Sequence, residues 1–180
     1  PVRKSLLARF VDDLAQPSSY IDRKYEGGVD QFVRDLARSC TLYVGNLSFY
    51  TTEEQLHAFF AKAGPIRRLI MGLDRNRKTP CGFCFVEYEE RGAALRCKKW
   101  LDGLKLDERF VRIDLDPGFR EGRQFGRGRS GGQVRDDFRE DYDAGAGLGG
   151  ASQERLDQHR EHQQRHHYEA IKHIPTGDRA

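Results

Sequence analysis

Two short segments constrain what this chain can fold into more than any other feature. Leu42–Leu47 and Cys81–Tyr88 begin 39 positions apart, and both have the apolar and aromatic composition of β-strands. Because successive side chains of a strand point to opposite faces, Tyr43 takes one face of the first segment, and Phe83 and Phe85 share one face of the second. If the two strands are neighbours, the three rings form one aromatic surface. We expect this surface to face solvent; burial of the rings in a core is the alternative.

The same residues resemble the two signature strands of the RNA-recognition motif. In that family, exposed rings on a four-stranded sheet stack unpaired RNA bases. Two positions depart from the second signature, because Cys81 stands where Lys or Arg is usual and Cys84 where Gly or Ala is usual. The basic contact to RNA phosphate is therefore expected from another part of the chain.

Hydrophobic periodicity from Thr41 onward predicts the order strand, helix, strand, strand, helix, strand. Thr51 and Glu54 form a capping-box signature before the first helix. The later predicted elements are strands at residues 66–73, around Phe83 and at residues 110–115, and a helix with Ala93, Cys97, Trp100 and Leu101 on one face. This order predicts an α+β, ferredoxin-like βαββαβ fold, in which a four-stranded antiparallel sheet carries two helices on one face.

Composition divides the chain into four parts. Residues 1–39 are predicted to be a helical extension that carries Tyr20, and residues 40–116 the RNA-recognition motif. Residues 117–143 form an Arg/Gly-rich extension, in which residues 117–135 contain five arginines and one acid. Residues 144–180 are rich in Gly, Gln, His and Arg and are expected to be disordered.

Composition and spacing also disfavour several classes of function. The chain has four cysteines and no recognisable secretion signal, which predicts a reducing compartment. Cys81 and Cys84 point to opposite faces of a strand, so we expect no shared metal ion. No apolar run approaches the ~20 residues that span a bilayer. No nucleophile, base and oxyanion-donor set is recognisable, so we expect neither an enzyme nor a cofactor.

The last predicted strand places charge beside the rings. If its apolar residues face the helices, Arg112, Asp114 and Asp116 share the face of Tyr43 and Phe83. Carboxylates repel phosphate, but they accept hydrogen bonds from the N1–H and amino edge of guanine. They also favour a positively charged base such as N7-methylguanosine, whose charge strengthens stacking on aromatic rings. Surface acids that are merely solvated or paired with Arg are the alternative.

Four segments make the chain resemble the small subunit of the nuclear cap-binding complex. They are Ser39–Gln55, Met71–Asp74, Cys81–Tyr88 and Glu121–Asp136, and the likeness runs from about Tyr20 to Asp143. The Arg/Gly segment Glu121–Asp136 is far more specific than the two signature strands, which many proteins share. The resemblance implies binding of the 5′ 7-methylguanosine triphosphate cap of nuclear RNA polymerase II transcripts.

The resemblance also implies a role for each site residue. Tyr20 and Tyr43 would sandwich the methylated guanine, Phe85 would belong to the RNA platform, and Phe138 would contact the second nucleotide. The base edge would be read by Arg112, Asp114, Leu115, Asp116 and Phe83. The triphosphate and ribose would be held by Arg123, Arg127, Gln133, Val134 and Arg135. No metal or cofactor is implied.

Two of these positions depart from the family pattern. Leu115 replaces a tryptophan, and because it lies at an inward position we expect altered packing with the backbone contact kept. Phe138 replaces a tyrosine. We expect the phenylalanine ring still to stack on a base, and the hydrogen bond of the tyrosine hydroxyl to be lost.

The implied partners are capped RNA and a large helical-repeat subunit that forms a heterodimer with this chain. No association with a membrane is implied. A nuclear location, with or without shuttling to the cytoplasm, and support of pre-mRNA splicing and RNA export follow from the same resemblance. A general single-stranded RNA binder of the splicing-factor type is an alternative that Tyr43, Phe83 and Phe85 support equally and that Asp114 and Asp116 count against. An RNA-recognition motif used for protein docking is a further alternative.

Overall fold

A computed structural model of the chain describes Asp22 and residues 25–172, with the backbone alone for residues 166–172. Four strands of the described range form one antiparallel sheet: β1 Thr41–Gly45, β2 Ile66–Leu73, β3 Pro80–Tyr88 and β6 Arg112–Asp116. Their order in the sheet is β2-β3-β1-β6. The predicted α+β fold with a four-stranded antiparallel sheet is confirmed.

Two short hairpins and five α-helices complete the described part of the chain. The hairpins pair β4 Lys105–Leu106 with β5 Arg109–Phe110, and β7 Tyr142–Asp143 with β8 Gly147–Leu148. The helices are α1 Gly28–Arg38, α2 Glu53–Phe60, α3 Arg91–Leu101, α4 Val134–Phe138 and α5 Gly150–Lys172. A 3₁₀ turn, Ala61–Ala63, follows α2 directly.

The core lies between the sheet and the helices α2 and α3. The sheet contributes Leu42, Val44, Val86 and Ile113, and the helices contribute Leu56, Phe60, Ala93 and Cys97, all fully buried. The phenol of Tyr88 donates a hydrogen bond of 2.8 Å to the carbonyl oxygen of Phe60, which fixes α2 to the sheet. The opposite face of the sheet is left for the ring cluster, Tyr43, Phe83 and Phe85.

The first helix is capped one residue later than predicted. Thr52, not Thr51, is the N-cap: its hydroxyl accepts from the Gln55 backbone N–H, and the Gln55 side chain accepts from the Thr52 N–H at 2.8 Å. Thr51 instead donates to Asp107 Oδ2 at 2.6 Å. Each threonine has an acidic or amide residue three positions later, so a tertiary contact decides between two equal signatures.

Two other element predictions need correction. The last strand begins at Arg112 because Phe110 pairs with Lys105 in the β4–β5 hairpin. Trp100 is 65% exposed although it was assigned to the apolar face of α3. The buried face of α3 is centred between Ala94 and Cys97, and at 3.6 residues per turn Trp100 lies about 75° from that centre.

Part of the segment that was expected to be disordered, residues 144–180, is helical. Residues 150–172 form the helix α5. Gln, Glu and Arg are good helix formers, and pairs such as Arg165 with Glu161 at 3.8 Å support the helix along its surface. This polar segment therefore has few residues that could form a core, and it is helical nevertheless. None of the described helices has the length and apolar character needed to cross a membrane.

Candidate nucleic-acid interface

The ring cluster lies on the sheet face opposite α2 and α3, as its alternation predicted. The Tyr43 and Phe83 centroids are 5.7 Å apart with an interplanar angle of 27°, and the Phe83 and Phe85 centroids are 6.0 Å apart. The rings do not form an open surface, because Phe83 is 5% exposed and Phe85 2%. The expectation of three solvent-facing rings is therefore corrected: only Tyr43 keeps partial exposure.

The cover over these rings is the extension, residues 117–143. Phe119 meets the Phe85 ring edge-on at 5.3 Å between centroids, and the guanidinium of Arg123 lies 4.8 Å above the centre of the Phe85 ring. Such cation–π contacts are favourable where water is excluded. Sequence periodicity could not predict this cover, because the extension has no regular pattern of its own.

Main-chain hydrogen bonds fasten the extension to the end of β2. The Leu73 N–H donates to the Gln124 carbonyl at 2.7 Å, and the Gly126 N–H donates to the Leu73 carbonyl at 2.8 Å. Gly126 has no room for a side chain, since a Cβ there would lie 2.3 Å from the carbonyl oxygens of Gly131 and Gly132. This glycine permits the close turn that follows it.

Residues 126–132 form a turn, the Arg/Gly loop, which is hydrogen-bonded to the β2–β3 loop. These hydrogen bonds between the two loops are called the clasp. Asp74 is buried and accepts from the backbone N–H groups of Asn76 and Arg77, both at 2.8 Å. The loop shaped in this way donates twice: Arg75 N–H to the Gly131 carbonyl at 2.8 Å, and Asn76 Nδ2 to the Ser130 carbonyl at 2.9 Å. The clasp fixes the residue that follows the Arg/Gly loop, Gln133.

Gln133 connects the extension to the signature strands. Its Oε1 accepts from the Tyr43 hydroxyl at 3.2 Å, and its Nε2 donates to the Cys81 carbonyl at 2.7 Å. Burial raises the pKa of Tyr43 to about 12, so its phenol is neutral at physiological pH. Burial likewise raises the pKa of the Cys81 thiol to about 12. The Cys81 position thus contributes a carbonyl acceptor and a neutral thiol.

The predicted base-edge carboxylates have different surroundings. Asp114 pairs across the sheet with Tyr43, and its Oδ2 accepts from Arg112 Nε at 3.1 Å. Asp116 is 5% exposed and forms a two-pronged ion pair with Arg123, Nη1 to Oδ1 at 2.7 Å and Nη2 to Oδ2 at 2.6 Å. The two predicted groups, base-edge acids and phosphate arginines, are therefore paired with each other at Asp116 and Arg123.

Asp22 is a site residue that sequence reasoning missed. Its carboxylate receives both terminal nitrogens of Arg127, at 2.6 and 2.9 Å, and lies 3.5 Å from Nε of Arg123. Burial lowers the pKa of the Arg123 guanidinium, but the Asp116 and Asp22 carboxylates outweigh burial and raise its pKa overall. The only sequence signal for Asp22 was its position two residues after Tyr20.

A cavity of about 300 Å³ lies between these groups, a volume at the lower end of ordinary small-ligand pockets. It brings together most of the residues predicted for the site: Tyr43, Phe83, Phe85, Arg112, Asp114, Leu115, Asp116, Arg123, Arg127, Gln133, Val134 and Arg135. Phe32, Leu36, Lys98 and Phe125 also line it and were not predicted. Phe138 does not, and its side chain is 77% exposed. Tyr20 lies outside the described residues.

The arrangement of Cys81 and Cys84 agrees with the expectation that they do not share a metal ion. Cys81 belongs to the ring side of β3 and Cys84 to the helix side, so the two thiols face opposite layers. Among the residues whose side chains are described, no three His, Cys, Asp or Glu groups are arranged to hold a metal ion.

Comparison with known proteins places this geometry in a family. The RNA recognition motif family matches residues 42–112. The chain is 56% identical over 136 residues to nuclear cap-binding protein subunit 2 of Rattus norvegicus, with 76% of this chain and 87% of the relative covered. The protein of that name from Drosophila willistoni is 57% identical over 130 residues, covering 72% of this chain and 84% of the relative. The chain belongs to the nuclear cap-binding protein subunit 2 family. Membership makes it an RNA-binding protein and not an enzyme.

The human member is 55% identical over 136 residues, covering 76% of this chain and 87% of its own length. The alignments span most of each relative, so the shared region is longer than the 42–112 match to the motif itself. The resemblance inferred from four sequence segments is confirmed.

Proposed function

We propose that this chain binds the 5′ 7-methylguanosine triphosphate cap as the small subunit of a heterodimeric cap-binding complex. The observation that carries the proposal is the cavity, in which aromatic rings, three carboxylates and a set of arginines converge under the extension. This combination suits a ligand with a flat cationic base at one end and a polyanion at the other. Family membership supports the same ligand.

The base is proposed to stack on Tyr43. Its ring is held by Gln133 and by Phe83, so little side-chain entropy is lost when a base binds. One stacked base contributes about 1–3 kcal/mol. Asp114, with Leu115 and Asp116 beside it, faces the same space and would accept hydrogen bonds from the guanine edge, while Arg112 holds the Asp114 carboxylate in place.

Tyr20 is proposed to close the sandwich. Asp22 itself lines the cavity and is tied to Arg127. Tyr20 precedes Asp22 by two residues in the sequence. A second ring stacked on the methylated base would add a cation–π term.

The triphosphate is proposed to lie along Arg123, Arg127, Val134 and Arg135. Arg123 and Arg127 are already oriented by Asp116 and Asp22, and a guanidinium has five N–H donors, more than one carboxylate uses. Arg135 is exposed at the cavity mouth, where it can meet the distal phosphates. Phe138 would offer an exposed ring to the next base.

Capped and uncapped versions of one short RNA test the proposal. The full chain, alone and copurified with its large subunit, is titrated with both RNAs in a gel-shift assay. We expect strong preference for the capped RNA, which Tyr20→Ala abolishes. Equal binding of both RNAs would favour the general single-stranded RNA binder instead, a role that buried Phe83 and Phe85 make difficult.

The cellular roles follow from the same proposal. A large helical-repeat partner, a nuclear location, and support of splicing and RNA export are proposed from family resemblance. Copurification of a tagged full chain from nuclear extract tests the partner, and loss of the chain from the nuclear fraction would contradict the location.

A further inference from the structure

Ser130 lies on the exposed side of the Arg/Gly loop and has no assigned role in the cap site. The sequence from Arg127 to Ser130 is Arg-Gly-Arg-Ser, which places arginines three and one residues before the hydroxyl. Ser130 is exposed, and the Arg129 side chain is 79% exposed. Protein kinases select substrates partly by charge patterns of this kind.

The Ser130 hydroxyl belongs to the contact that shapes the loop. It donates to Asp137 Oδ1 at 2.5 Å, and Asp137 also accepts from the backbone N–H groups of Arg129 at 2.6 Å and Ser130 at 3.2 Å. Partial burial raises the pKa of Asp137, but these hydrogen bonds outweigh it and hold the pKa below its ordinary value. Asp137 is therefore a carboxylate at physiological pH, and it holds the Arg/Gly loop to α4.

The loop in turn sets the position of Gln133. The Gly128 N–H donates to the Gly132 carbonyl at 2.7 Å, which closes the loop directly before Gln133. Gln133 then reaches the Tyr43 hydroxyl and the Cys81 carbonyl. A change in the charge of the Ser130 side chain therefore acts on a loop that is followed directly by Gln133, the residue that contacts the proposed base-stacking ring, Tyr43.

We propose that Ser130 is a phosphorylation site for an arginine-directed protein kinase and that its modification weakens cap binding. The inference rests on the proposed cap-binding function. In the reaction the Ser130 hydroxyl oxygen attacks the γ-phosphorus of ATP. The bond from that phosphorus to the β–γ bridging oxygen breaks, ADP leaves, and the hydroxyl proton passes to the kinase's base.

Two physical effects lower the affinity. A phosphoserine carries about −1.5 to −2 charges at neutral pH, and next to a carboxylate it is repelled. Phosphoserine at position 130 would thus break the contact with Asp137 and open the loop that positions Gln133. The phosphate would also attract Arg127 and Arg129, so it would compete with the cap triphosphate for guanidinium groups.

Phosphoserine installed at position 130 of the full chain by codon suppression tests the effect directly. Dissociation constants for m7GTP and GTP are measured by fluorescence quenching for the modified and unmodified chains, each copurified with the proposed large subunit. We expect m7GTP to bind about tenfold more weakly to the modified chain. Phosphatase treatment restores the affinity, and the loss is smaller for m7GMP, which has one phosphate.

A second arm tests the site itself. The unmodified chain and Ser130→Ala are incubated with ATP and an arginine-directed kinase, and phosphopeptides are mapped by mass spectrometry. We expect a phosphopeptide containing Ser130 that is absent from the variant. Two results would overturn this inference alone. The first is that the kinase fails to modify Ser130. The second is that the phosphoserine-containing and unmodified chains bind m7GTP equally tightly while the unmodified chain still prefers m7GTP to GTP. An unmodified chain without preference for m7GTP would overturn the proposed function with it.

Discussion

Replacing Asp22 with asparagine tests whether a carboxylate 105 residues away from Arg127 organises the proposed cap site. The substitution removes the charge from a two-pronged ion pair and leaves only one carbonyl acceptor for the guanidinium. Buried hydrogen bonds to charged groups contribute about 1.5–3 kcal/mol each. The Arg127 side chain is 34% exposed, so solvent screening reduces this value.

We expect Asp22→Asn to weaken m7GTP binding by roughly 1–2 kcal/mol, or about tenfold. The loss has two sources: Arg127 becomes less ordered at the proposed phosphate side of the cavity, and Asp22 itself is held less firmly in the cavity wall. The chain offers a matched control in Glu87→Gln, which removes an ion pair with Arg68 at 2.9 Å on the sheet outside the cavity.

Titration calorimetry with m7GTP gives the affinity of the wild type and both variants, and thermal unfolding followed by circular dichroism shows whether they fold. The reasoning is refuted if Asp22→Asn folds normally and binds m7GTP as tightly as, or more tightly than, the wild type. Tighter binding would mean that the ion pair competes with the triphosphate instead of orienting the arginine.

Three further predictions concern the clasp, the stacking ring and alkaline stability. Asn76→Ala removes the hydrogen bond to Ser130 and should weaken m7GTP about fivefold, about 1 kcal/mol, with a smaller loss for m7GMP; calorimetry with both nucleotides measures the difference. Tyr43→Phe loses only the hydroxyl contact to Gln133, whereas Tyr43→Ala also loses stacking, so fluorescence titration should find a loss of about 1–3 kcal/mol more for alanine. Burial raises the pKa of Cys81 from 9.0 and of Tyr43 from 10.0, each to about 12, so the folded chain keeps protons that the unfolded chain has lost. Stability should therefore fall as pH rises from about 9 toward 12, with a shallower fall in Cys81→Ala, as read from urea midpoints; a flat profile contradicts the burial of these groups.

The scaffold was predictable because its signals are local. Alternation within Cys81–Tyr88 placed Phe83 and Phe85 on one face, and the register of Tyr43 opposite Phe85 confirms it. Alternation cannot say what covers a face, and so it could not show that Phe119 and Arg123 lie over Phe85.

The contacts that assemble the site join residues far apart in sequence. Asp22 with Arg127 and Asn76 with Ser130 depend on how an irregular extension folds back on the sheet, and no periodic pattern encodes that path. Resemblance to a family named most of the cavity residues without giving their pairing. Asp116 illustrates the difference: it was assigned to the base edge, and the structure pairs it with Arg123.

The same limit explains the errors in element boundaries. The N-cap depended on Asp107 binding Thr51, a contact across 56 residues, and the start of the last strand depended on a hairpin that captures Phe110. Residues 150–172 were predicted to be disordered from their polar composition, but they form a helix. A polar composition indicates that a segment forms no core. It says less about whether the segment is helical, and the helix propensity here is high.

The central claim is that the cavity beneath the extension binds a methylated guanine carrying a triphosphate. The ratio of dissociation constants for GTP and m7GTP, measured on the full chain copurified with the proposed large subunit, tests it most directly. The two nucleotides have the same phosphates, so the ratio isolates recognition of the cationic base by Tyr43 and the carboxylates. We predict a ratio of about a hundred or more, about 2.7 kcal/mol, in favour of m7GTP. A ratio near one would contradict the account.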